Sequence, residues 1–464
     1  MLYFILKMLL RLAIKVYFRD IHIRNLKHIP KNEALLVLPN HQSAFMDPIV
    51  IGTLMHRSLF YLARGESFNG KFARFIFKRL HMIPIYRQET APELVHKNEE
   101  IFKECYKHFK NNGAILIFPE GTSKTEHRLR KIKTGAARIA LGAEAANNYE
   151  LGLKFVPVGL NYSNPHRFQT KLFLNFGKPI SIEPFFDEFK QDEFKAVNKL
   201  TDFFRQKLEE NIVIVENVKL DELIKQIELI YKSKIAHELE LDKSQQVWEY
   251  LILKDIAKMV SFFHKHDLDR VKAFQEKIQN YFNKLSAYDL PVDILATQKN
   301  KQGFIGRGIN TIIYLILGFP FYLYGAINSY IPYWIPGFLA DKITKKEDFR
   351  GSLVLSIGLL SFPIFYLLQS ILIQKYLGGI FSIPLLDNWL WFFYLSSLPF
   401  TGFFALRYKE RISKIIHSWK LVSLFFTKRR LVTEVIRERE ELLETLEKGR
   451  SEYLLRGKNQ KQNS

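Results

Sequence analysis

A histidine and an aspartate follow an apolar stretch in the segment Asn40–Pro48, which has the sequence NHQSAFMDP. The loop can fold so that the carboxylate of Asp47 accepts a hydrogen bond from one imidazole nitrogen of His41. That bond fixes the tautomer and raises the basicity of the other nitrogen, as a general base for a hydroxyl requires. A structural role fits as well, because Asp47-Pro48 has the pattern of a helix N-cap followed by proline at the first helical position.

A second candidate site lies at Ile117–Ser123, IFPEGTS, which ends another apolar run. Backbone N–H groups, hydroxyls and nearby cations between a strand and a helix are typical of an anion site. The cations that follow are Lys124, Arg128, Arg130, Lys131 and Lys133. A plain β-turn beside a solvated run of charges fits the same residues.

Arg87 ends a third short apolar run, MIPIYR. A guanidinium group suits a pair of phosphate oxygens, although an isolated arginine is also a common surface residue. The single cysteine, Cys105, excludes a disulfide scaffold and a zinc ribbon. His41 and Asp47 have no further ligands at metal spacing, so we expect no metal site.

Short apolar runs alternate with helical patterns between residues 21 and 181. This alternation predicts an α/β fold with a mixed, mostly parallel sheet flanked by helices. Ligands of such sheets bind beyond the carboxyl ends of the strands, where the polar motifs of this sequence lie. The predicted strands are 34–40, 59–65, 114–121, 154–162 and 171–180.

Residues 2–18 are apolar except for cations at spacing four, Lys7, Arg11 and Lys15. Helical spacing places these cations on one stripe, which favours an amphipathic helix lying in a membrane interface. A first helix packed in the protein core is the alternative.

Further apolar segments lie towards the C-terminus. Segment 308–340 contains three prolines and is predicted to be re-entrant or interfacial, whereas 352–374 and 388–406 are long and apolar enough to cross a bilayer. Basic residues before 352 and after 406 predict a transmembrane hairpin with both outer flanks cytoplasmic.

The predicted organisation therefore has five parts. They are the interfacial helix 1–20, a catalytic domain at 21–210, a helical insert at 211–302, a membrane region at 303–406 and a basic cytoplasmic tail at 407–464. The insert carries no motif. Residues 434–450 of the tail are predicted to form a charged amphipathic helix, for which a solvated surface position is the simplest interpretation.

The formal net charge of +21 is compatible with nucleic acid or an anionic membrane as partner. The charge flanks uncharged apolar segments, and the sequence contains no zinc finger or RNA-recognition signature, which favours the membrane. A hydrophobic fraction of 47% excludes a disordered chain.

Four segments taken in order, NHQSAFMD, IPIYR, FPEGTS and VPVGLNY, resemble the motif blocks of the glycerolipid acyltransferase family. That family includes glycerol-3-phosphate and 1-acylglycerol-3-phosphate acyltransferases. The resemblance covers about residues 1–210. It implies an O-acyltransferase of phospholipid biosynthesis that uses acyl-CoA or acyl carrier protein as donor, with no bound cofactor.

The resemblance also implies residue roles. His41 would be the general base and Asp47 its orienting partner, while Pro157 and its apolar neighbours would line the path of the acyl chain. The residues that would place the glycerol phosphate are Arg87, Glu120, Gly121, Thr122 and Ser123. The residues that could meet the phosphates of coenzyme A, acyl carrier protein or anionic lipid are Lys124, Arg128, Lys131 and Lys133.

One departure leaves the acceptor open. Five residues separate His41 from Asp47, where the commonest family box has four, and this spacing resembles a branch with fungal glycerol-3-phosphate/dihydroxyacetone-phosphate acyltransferases. Dihydroxyacetone phosphate and other lysophospholipids are therefore alternative acceptors, and a non-catalytic lipid-binding scaffold is an alternative function. The expected location is a bacterial inner membrane, with the catalytic domain on the cytoplasmic face.

Overall fold

The structure is a computed structural model. It describes residues 2–68, 70–126, 128–215, 218–238, 247–290, 304–377 and 389–462. The chain divides into two compact units. The first, here called the catalytic unit, consists of Met1–Ile214 and Ala340–Leu355; the second, the helical unit, consists of Val215–Leu339 and Ser356–Ser464.

The catalytic unit contains one eight-stranded sheet. Its strands are β1 (Phe18–Arg24), β2 (Leu35–Pro39), β3 (Phe60–Arg64), β4 (Met82–Ile85), β5 (Ala114–Leu116), β6 (Lys154–Tyr162), β7 (Thr170–Phe176) and β8 (Ile180–Ser181). The order is β1-β7-β6-β2-β5-β3-β4, and β8 pairs with β6. The antiparallel ladders among these strands both involve β6, which pairs with β7 and with β8. The predicted mixed, mostly parallel sheet is confirmed.

Helices cover both faces of this sheet. They are α1 (Leu2–Tyr17), α2 (Met46–Leu54), α3 (Lys71–Arg79), α4 (Asn98–Lys110), α5 (Gly135–Ala145), α6 (Phe186–Gln191) and α7 (Glu193–Glu209). Alternate residues of β2 enter different cores: Leu36 and Leu38 pack in one hydrophobic cluster, and Leu35 and Val37 in another. A strand buried on both faces has to be apolar throughout, which explains the continuous LLVLP run.

The first helix, α1, combines the two alternatives that the sequence left open. Ile14 and Tyr17 are buried in the core of the catalytic unit. The opposite face is exposed and apolar, with Phe4, Met8 and Leu12 each more than 60% exposed. Lys7 does not join a stripe of free cations, because its Nζ donates to the carbonyl oxygens of Met55 and Arg57 after α2.

Residues 340–355 belong to the catalytic unit, although the sequence analysis placed them within the membrane region 303–406. Leu355 is 4% exposed and packs in the same core as Ile14 and Val37. Gly351 lies so close to the chain at Pro165 that a Cβ atom would be 2.2 Å from the carbonyl oxygen. The segment therefore packs tightly against the catalytic unit.

The helical unit is built from long helices: α8 (Val218–Glu238), α9 (Val247–His266), α10 (Leu268–Ala287), α11 (Phe304–Ile343), α12 (Glu347–Leu377), α13 (Leu390–Thr427) and α14 (Arg429–Gln462). The ends of α11 and α12 that fall within 340–355 belong to the catalytic unit.

The tail helix α14 has a buried face instead of the solvated position that its charge suggested. Val432, Val435 and Leu446 are nearly inaccessible, and α14 packs against α8, α9 and α10 of the insert. Tyr231 donates to Glu447 at 2.5 Å, which links the insert to the tail. The insert and the tail therefore form one bundle, because the apolar positions of α14 recur at helical spacing between its charges.

The prolines of segment 308–340 do not break it, so the expected re-entrant hairpin is not found. Helix α11 is continuous through Pro320, Pro332 and Pro336. A proline leaves the carbonyl four residues earlier without its helical donor. Gln369 Nε2 donates to the carbonyl of Asn328 at 3.0 Å and Ser361 Oγ to that of Pro332 at 3.2 Å, so α12 supplies two of the missing donors.

Two helices of the described residues are long and apolar enough to cross a membrane, Thr311–Ile343 and Glu347–Leu377. The predicted span 352–374 lies inside the second. The predicted span 388–406 is not among them, although most of it lies in α13. The connection at 378–388 is outside the described residues. The candidate pair of spans is therefore one segment earlier than the hairpin predicted from charge.

We predict that Gly351→Ala destabilises the protein, because the new Cβ would meet the Pro165 carbonyl and overpacking costs about 1–3 kcal/mol. The matched control is Gly358→Ala in the same helix, where the nearest atom, Pro336 Cγ, would be 3.8 Å away. Thermal unfolding in detergent should give a lower midpoint for Gly351→Ala than for the control. Equal midpoints would contradict tight packing of this segment.

Candidate active site

The His41 loop and the Glu120 loop follow the carboxyl ends of β2 and β5, which are neighbouring parallel strands. Asn40 fixes the end of β2 to β6. Its side-chain nitrogen donates to the Leu160 carbonyl at 3.0 Å, and its side-chain oxygen accepts from the Leu160 N–H at 2.7 Å. Because both bonds are buried, His41 begins its loop from a rigid position.

The His41–Asp47 pair forms as the sequence predicted. The Nδ1 atom of His41 lies 2.9 Å from Asp47 Oδ2, and the Asp47 side chain is fully buried. The same oxygen accepts from the Ser43 backbone N–H at 2.8 Å. Helix α2 begins at Met46 and its N-cap residue is Phe45, so Asp47 lies in the first turn and is not the N-cap.

Tyr162 is part of this site, and the sequence analysis missed it. Its hydroxyl donates to Asp47 Oδ1 at 2.8 Å, and burial followed by the charge of Asp47 raises the pKa of Tyr162 well above its ordinary value. The tyrosine remains a donor and holds the carboxylate from the side away from His41. The available signal was its position at the end of the VPVGLNY strand.

The imidazole of His41 stacks on Phe118, with ring centroids 3.9 Å apart and planes 18° apart. A carboxylate can only accept, so the Nδ1 that faces Asp47 carries the proton and Nε2 carries the lone pair. The side chain is 14% exposed. The geometry of His41 therefore leaves Nε2 able to accept a proton, as a general base requires.

Glu120 joins the two loops through its carboxylate. Oε1 accepts from the His41 backbone N–H at 2.8 Å and Oε2 from the Arg130 backbone N–H at 3.1 Å. Burial raises the pKa of Glu120, against the opposing effect of these two bonds. The geometry thus gives Glu120 a framework function; its predicted contact with the acceptor stays a prediction.

The basic run is partly neutralised by Glu126. The Nε atoms of Arg128 and Arg130 lie 2.7 and 2.9 Å from its carboxylate, and Lys124 Nζ lies 3.8 Å away. Arg130 also donates to the Thr122 hydroxyl at 2.9 Å. Two further cations lie apart from Glu126: Lys133 pairs with Glu89, and Lys131 is exposed.

Arg87 reaches the FPEGTS loop from the end of β4. Its Nη1 donates to the Gly121 carbonyl at 2.5 Å, and Gly121 has a left-handed φ of +73°. The buried Nε has no hydrogen-bond partner among the described residues. Burial, then the charge of Arg64, lowers the pKa of Arg87, yet a guanidinium stays protonated in proteins. Arg87 thus retains a donor for an anionic ligand.

Two other residues lie away from these groups. Pro157 is buried within β6, where it is paired with Leu38 of β2. Its contact with an acyl chain stays a prediction. Cys105 is buried in α4, and burial raises the pKa of its thiol to about 12. A nucleophilic cysteine requires the opposite shift.

Residues 20–161 match the family model described as Acyltransferase. An acyltransferase domain is thus found in this part of the chain. The resemblance found in the four motifs is confirmed, and the matched residues include His41, Asp47, Arg87 and the whole FPEGTS segment.

Relatives named for glycerolipid acylation extend this match. Glycerol-3-phosphate O-acyltransferase 1 of Saccharomyces cerevisiae is 25% identical over 297 residues, covering 60% of this chain and 37% of the yeast protein. The 1-acyl-sn-glycerol-3-phosphate acyltransferase of Bacillus subtilis is 27% identical over 132 residues, covering 28% of this chain and 58% of that protein. The chain therefore spans less than two thirds of either relative.

A solved structure is also similar to part of the chain. The 1-acyl-sn-glycerophosphate (LPA) acyltransferase PlsC from Thermotoga maritima matches with a TM-score of 0.32 and 17% identity, over 45% of this chain and 78% of that protein.

We predict that Tyr162→Phe destabilises the catalytic unit by about 1.5–3 kcal/mol, because it removes a donor from the buried Asp47 carboxylate. Tyr149→Phe is the control, since the Tyr149 ring packs on Phe186 and its hydroxyl has no hydrogen bond among the described residues. Chemical denaturation monitored by thiol labelling of Cys105, the single cysteine, which is buried in the catalytic unit, compares the two. An unfolding free energy unchanged by Tyr162→Phe would contradict this role.

Proposed function

We propose that the protein is a membrane-bound O-acyltransferase. It transfers a fatty acyl chain from a thioester donor to a hydroxyl of glycerol 3-phosphate or 1-acylglycerol 3-phosphate. The observation that carries the proposal is the His41–Asp47 pair, with the carboxylate buried under three hydrogen bonds at the carboxyl edge of the sheet. The acyltransferase match of residues 20–161 supports the same reaction class.

In the proposed reaction, His41 Nε2 takes the proton of the acceptor hydroxyl as its oxygen attacks the thioester carbonyl. Asp47 stabilises the imidazolium that forms and keeps the ring oriented. The tetrahedral intermediate collapses by breaking the C–S bond, and the imidazolium returns its proton to the departing thiolate. No acyl-enzyme is required, in agreement with the burial of Cys105.

Arg87 is the proposed phosphate ligand. Its free Nε–H and its fixed position beside Gly121 allow a phosphate oxygen to be bound by a charge-assisted hydrogen bond. The donor is proposed to be acyl-CoA or acyl carrier protein. The exposed Lys131, which has no ion pair among the described residues, is the clearest cation for the donor's phosphates or acidic surface.

Membrane attachment fits this chemistry, because acyl chains partition into the bilayer. We propose that the exposed apolar face of α1 lies in the lipid interface and that the parts of Thr311–Ile343 and Glu347–Leu377 outside residues 340–355 cross the membrane. The charges at Lys342, Lys345, Lys346 and Arg350 favour a cytoplasmic position for the segment between them, and the membrane is proposed to be a bacterial inner membrane.

We predict that His41→Ala lowers acyl transfer about 10²- to 10⁴-fold, the range that a general base contributes. The matched control is His96→Ala, since His96 is exposed and makes no side-chain contact among the described residues. Membranes with each variant receive labelled acyl-CoA or acyl carrier protein and each acceptor. Full turnover by His41→Ala would reject His41 as base, and no turnover by the wild type with any acceptor would favour a lipid-binding scaffold.

We predict that Arg87→Lys raises KM for phosphate-bearing acceptors about 10-fold or more while kcat changes less, because lysine cannot reproduce the guanidinium geometry. Arg74→Ala, at an exposed arginine on α3, is the control. Steady-state kinetics with 1-acylglycerol 3-phosphate and with 1-acylglycerol separate the phosphate contribution. Equal losses with both acceptors would assign Arg87 to folding instead.

A further inference from the structure

Asp348 lies where the two motif loops of the catalytic unit meet, although it is far from both in sequence. Ser123 Oγ donates to Asp348 Oδ2 at 2.5 Å. Ser43 Oγ donates to the backbone carbonyl of Asp348 at 3.2 Å, and the Ser43 N–H donates to Asp47. Asp348 is therefore connected to the catalytic pair through one residue and to the FPEGTS loop directly.

The neighbours of Asp348 hold it in this position. Phe349 makes an edge-to-face contact with Phe45, with ring centroids 5.6 Å apart. Arg350 Nη1 donates to the His166 carbonyl at 2.8 Å, and its Nε pairs with Asp341 at 2.6 Å. Together with the buried Leu355, these contacts make the segment a fixed part of the catalytic unit.

The hydrogen-bond direction at Ser123 decides which groups this pair can bind. A carboxylate only accepts, so the single Ser123 proton is committed to Asp348. The groups of this pair that can still bind a ligand are therefore acceptors. They are the lone pairs of Ser123 and the second carboxylate oxygen of Asp348, and that oxygen has no hydrogen-bond partner among the described residues. Phosphate oxygens also accept and carry negative charge, whereas an alcohol O–H donates.

The hydrogen-bond donor that could bind an anion lies at another point of the same loop, beside Gly121. Arg87 contacts Gly121, two residues before Ser123, and presents its free Nε–H there. One end of the FPEGTS loop thus suits a phosphate and the other suits a hydroxyl. The possible acceptors differ in this respect, because glycerol 3-phosphate has two hydroxyls, whereas its 1-acyl derivative and dihydroxyacetone phosphate have one each.

We propose that Asp348 and Ser123 form a hydroxyl-recognition site that makes the enzyme selective for a diol phosphate, glycerol 3-phosphate. The second hydroxyl donates to Asp348 while His41 deprotonates the first. This inference rests on the proposed acyl transfer. It assigns a specificity residue outside residues 20–161, at the start of the helix that contains the second candidate span, Glu347–Leu377.

The test uses the full-length protein in membranes or detergent, with Asp348→Asn and Ser123→Ala as the variants. Glu347→Gln is the matched control, since Glu347 is the neighbouring exposed carboxylate and has no side-chain hydrogen bond among the described residues. The acceptors are glycerol 3-phosphate, 1,3-propanediol monophosphate, dihydroxyacetone phosphate and 1-acylglycerol 3-phosphate. Thermal unfolding of each variant monitors folding.

For the wild type we expect kcat/KM with 1,3-propanediol monophosphate to be about 10- to 100-fold below that with glycerol 3-phosphate, the contribution of a hydrogen bond to a charged group. Asp348→Asn should remove most of this difference by lowering only the glycerol 3-phosphate value. Turnover of the mono-hydroxyl acceptors should stay within about twofold, and Glu347→Gln should behave as the wild type. Ser123→Ala should reduce the same difference in the same direction.

Several results would overturn this assignment while leaving the acyltransferase proposal intact. They are a wild type that prefers a mono-hydroxyl acceptor, an equal loss by Asp348→Asn with all four acceptors, and an unchanged ratio in both variants. A wild type that acylates none of the acceptors, with either donor, would reject the proposed acyl transfer itself and this inference with it.

Discussion

The buried carboxylate of Asp47 is the interaction on which the site depends. A carboxylate without solvent is costly unless its oxygens are hydrogen-bonded. Here Ser43, His41 and Tyr162 supply the donors, and they come from the His41 loop and the end of β6. The hydrogen bonds that offset the free-energy cost of burying the Asp47 carboxylate therefore include the one that orients His41.

Glu120 repeats this arrangement one strand away. It too is a buried carboxylate, and it accepts from the backbone of His41 and of Arg130. Asp47 and Glu120 thus both act in the structure as fixed points for loops. Except for Lys131, the cationic groups that follow the FPEGTS segment are engaged in ion pairs among the described residues, most of them with Glu126, so the available positive charge is smaller than the residue count suggests.

The position of residues 340–355 changes how the membrane part relates to function. Hydropathy separates this segment from the catalytic domain, yet Leu355 enters the core and Asp348 bonds to Ser123. The segment contains the end of one candidate span and the start of the other, so the catalytic unit includes parts of both helices that we propose to attach the protein to the membrane. A family match that ends at residue 161 does not include it.

The local sequence was sufficient for five of the eight strands, for the motif loops and for the His41–Asp47 pair, whereas β1, β4 and β8 were not predicted. Period-two and period-3.6 apolar patterns report local geometry, and residues that end adjacent parallel strands necessarily come close together. The helical character of the tail also followed from its pattern.

Only the tertiary structure decided what depends on distant partners. Tyr162, Asp348 and the buried face of α14 acquire their contacts across more than a hundred residues, for which a single sequence carries no spacing rule. The prolines of α11 were expected to break it because proline removes a donor within its own helix. Gln369 and Ser361 of another helix replace two such donors, a compensation that exists only once the helices pack.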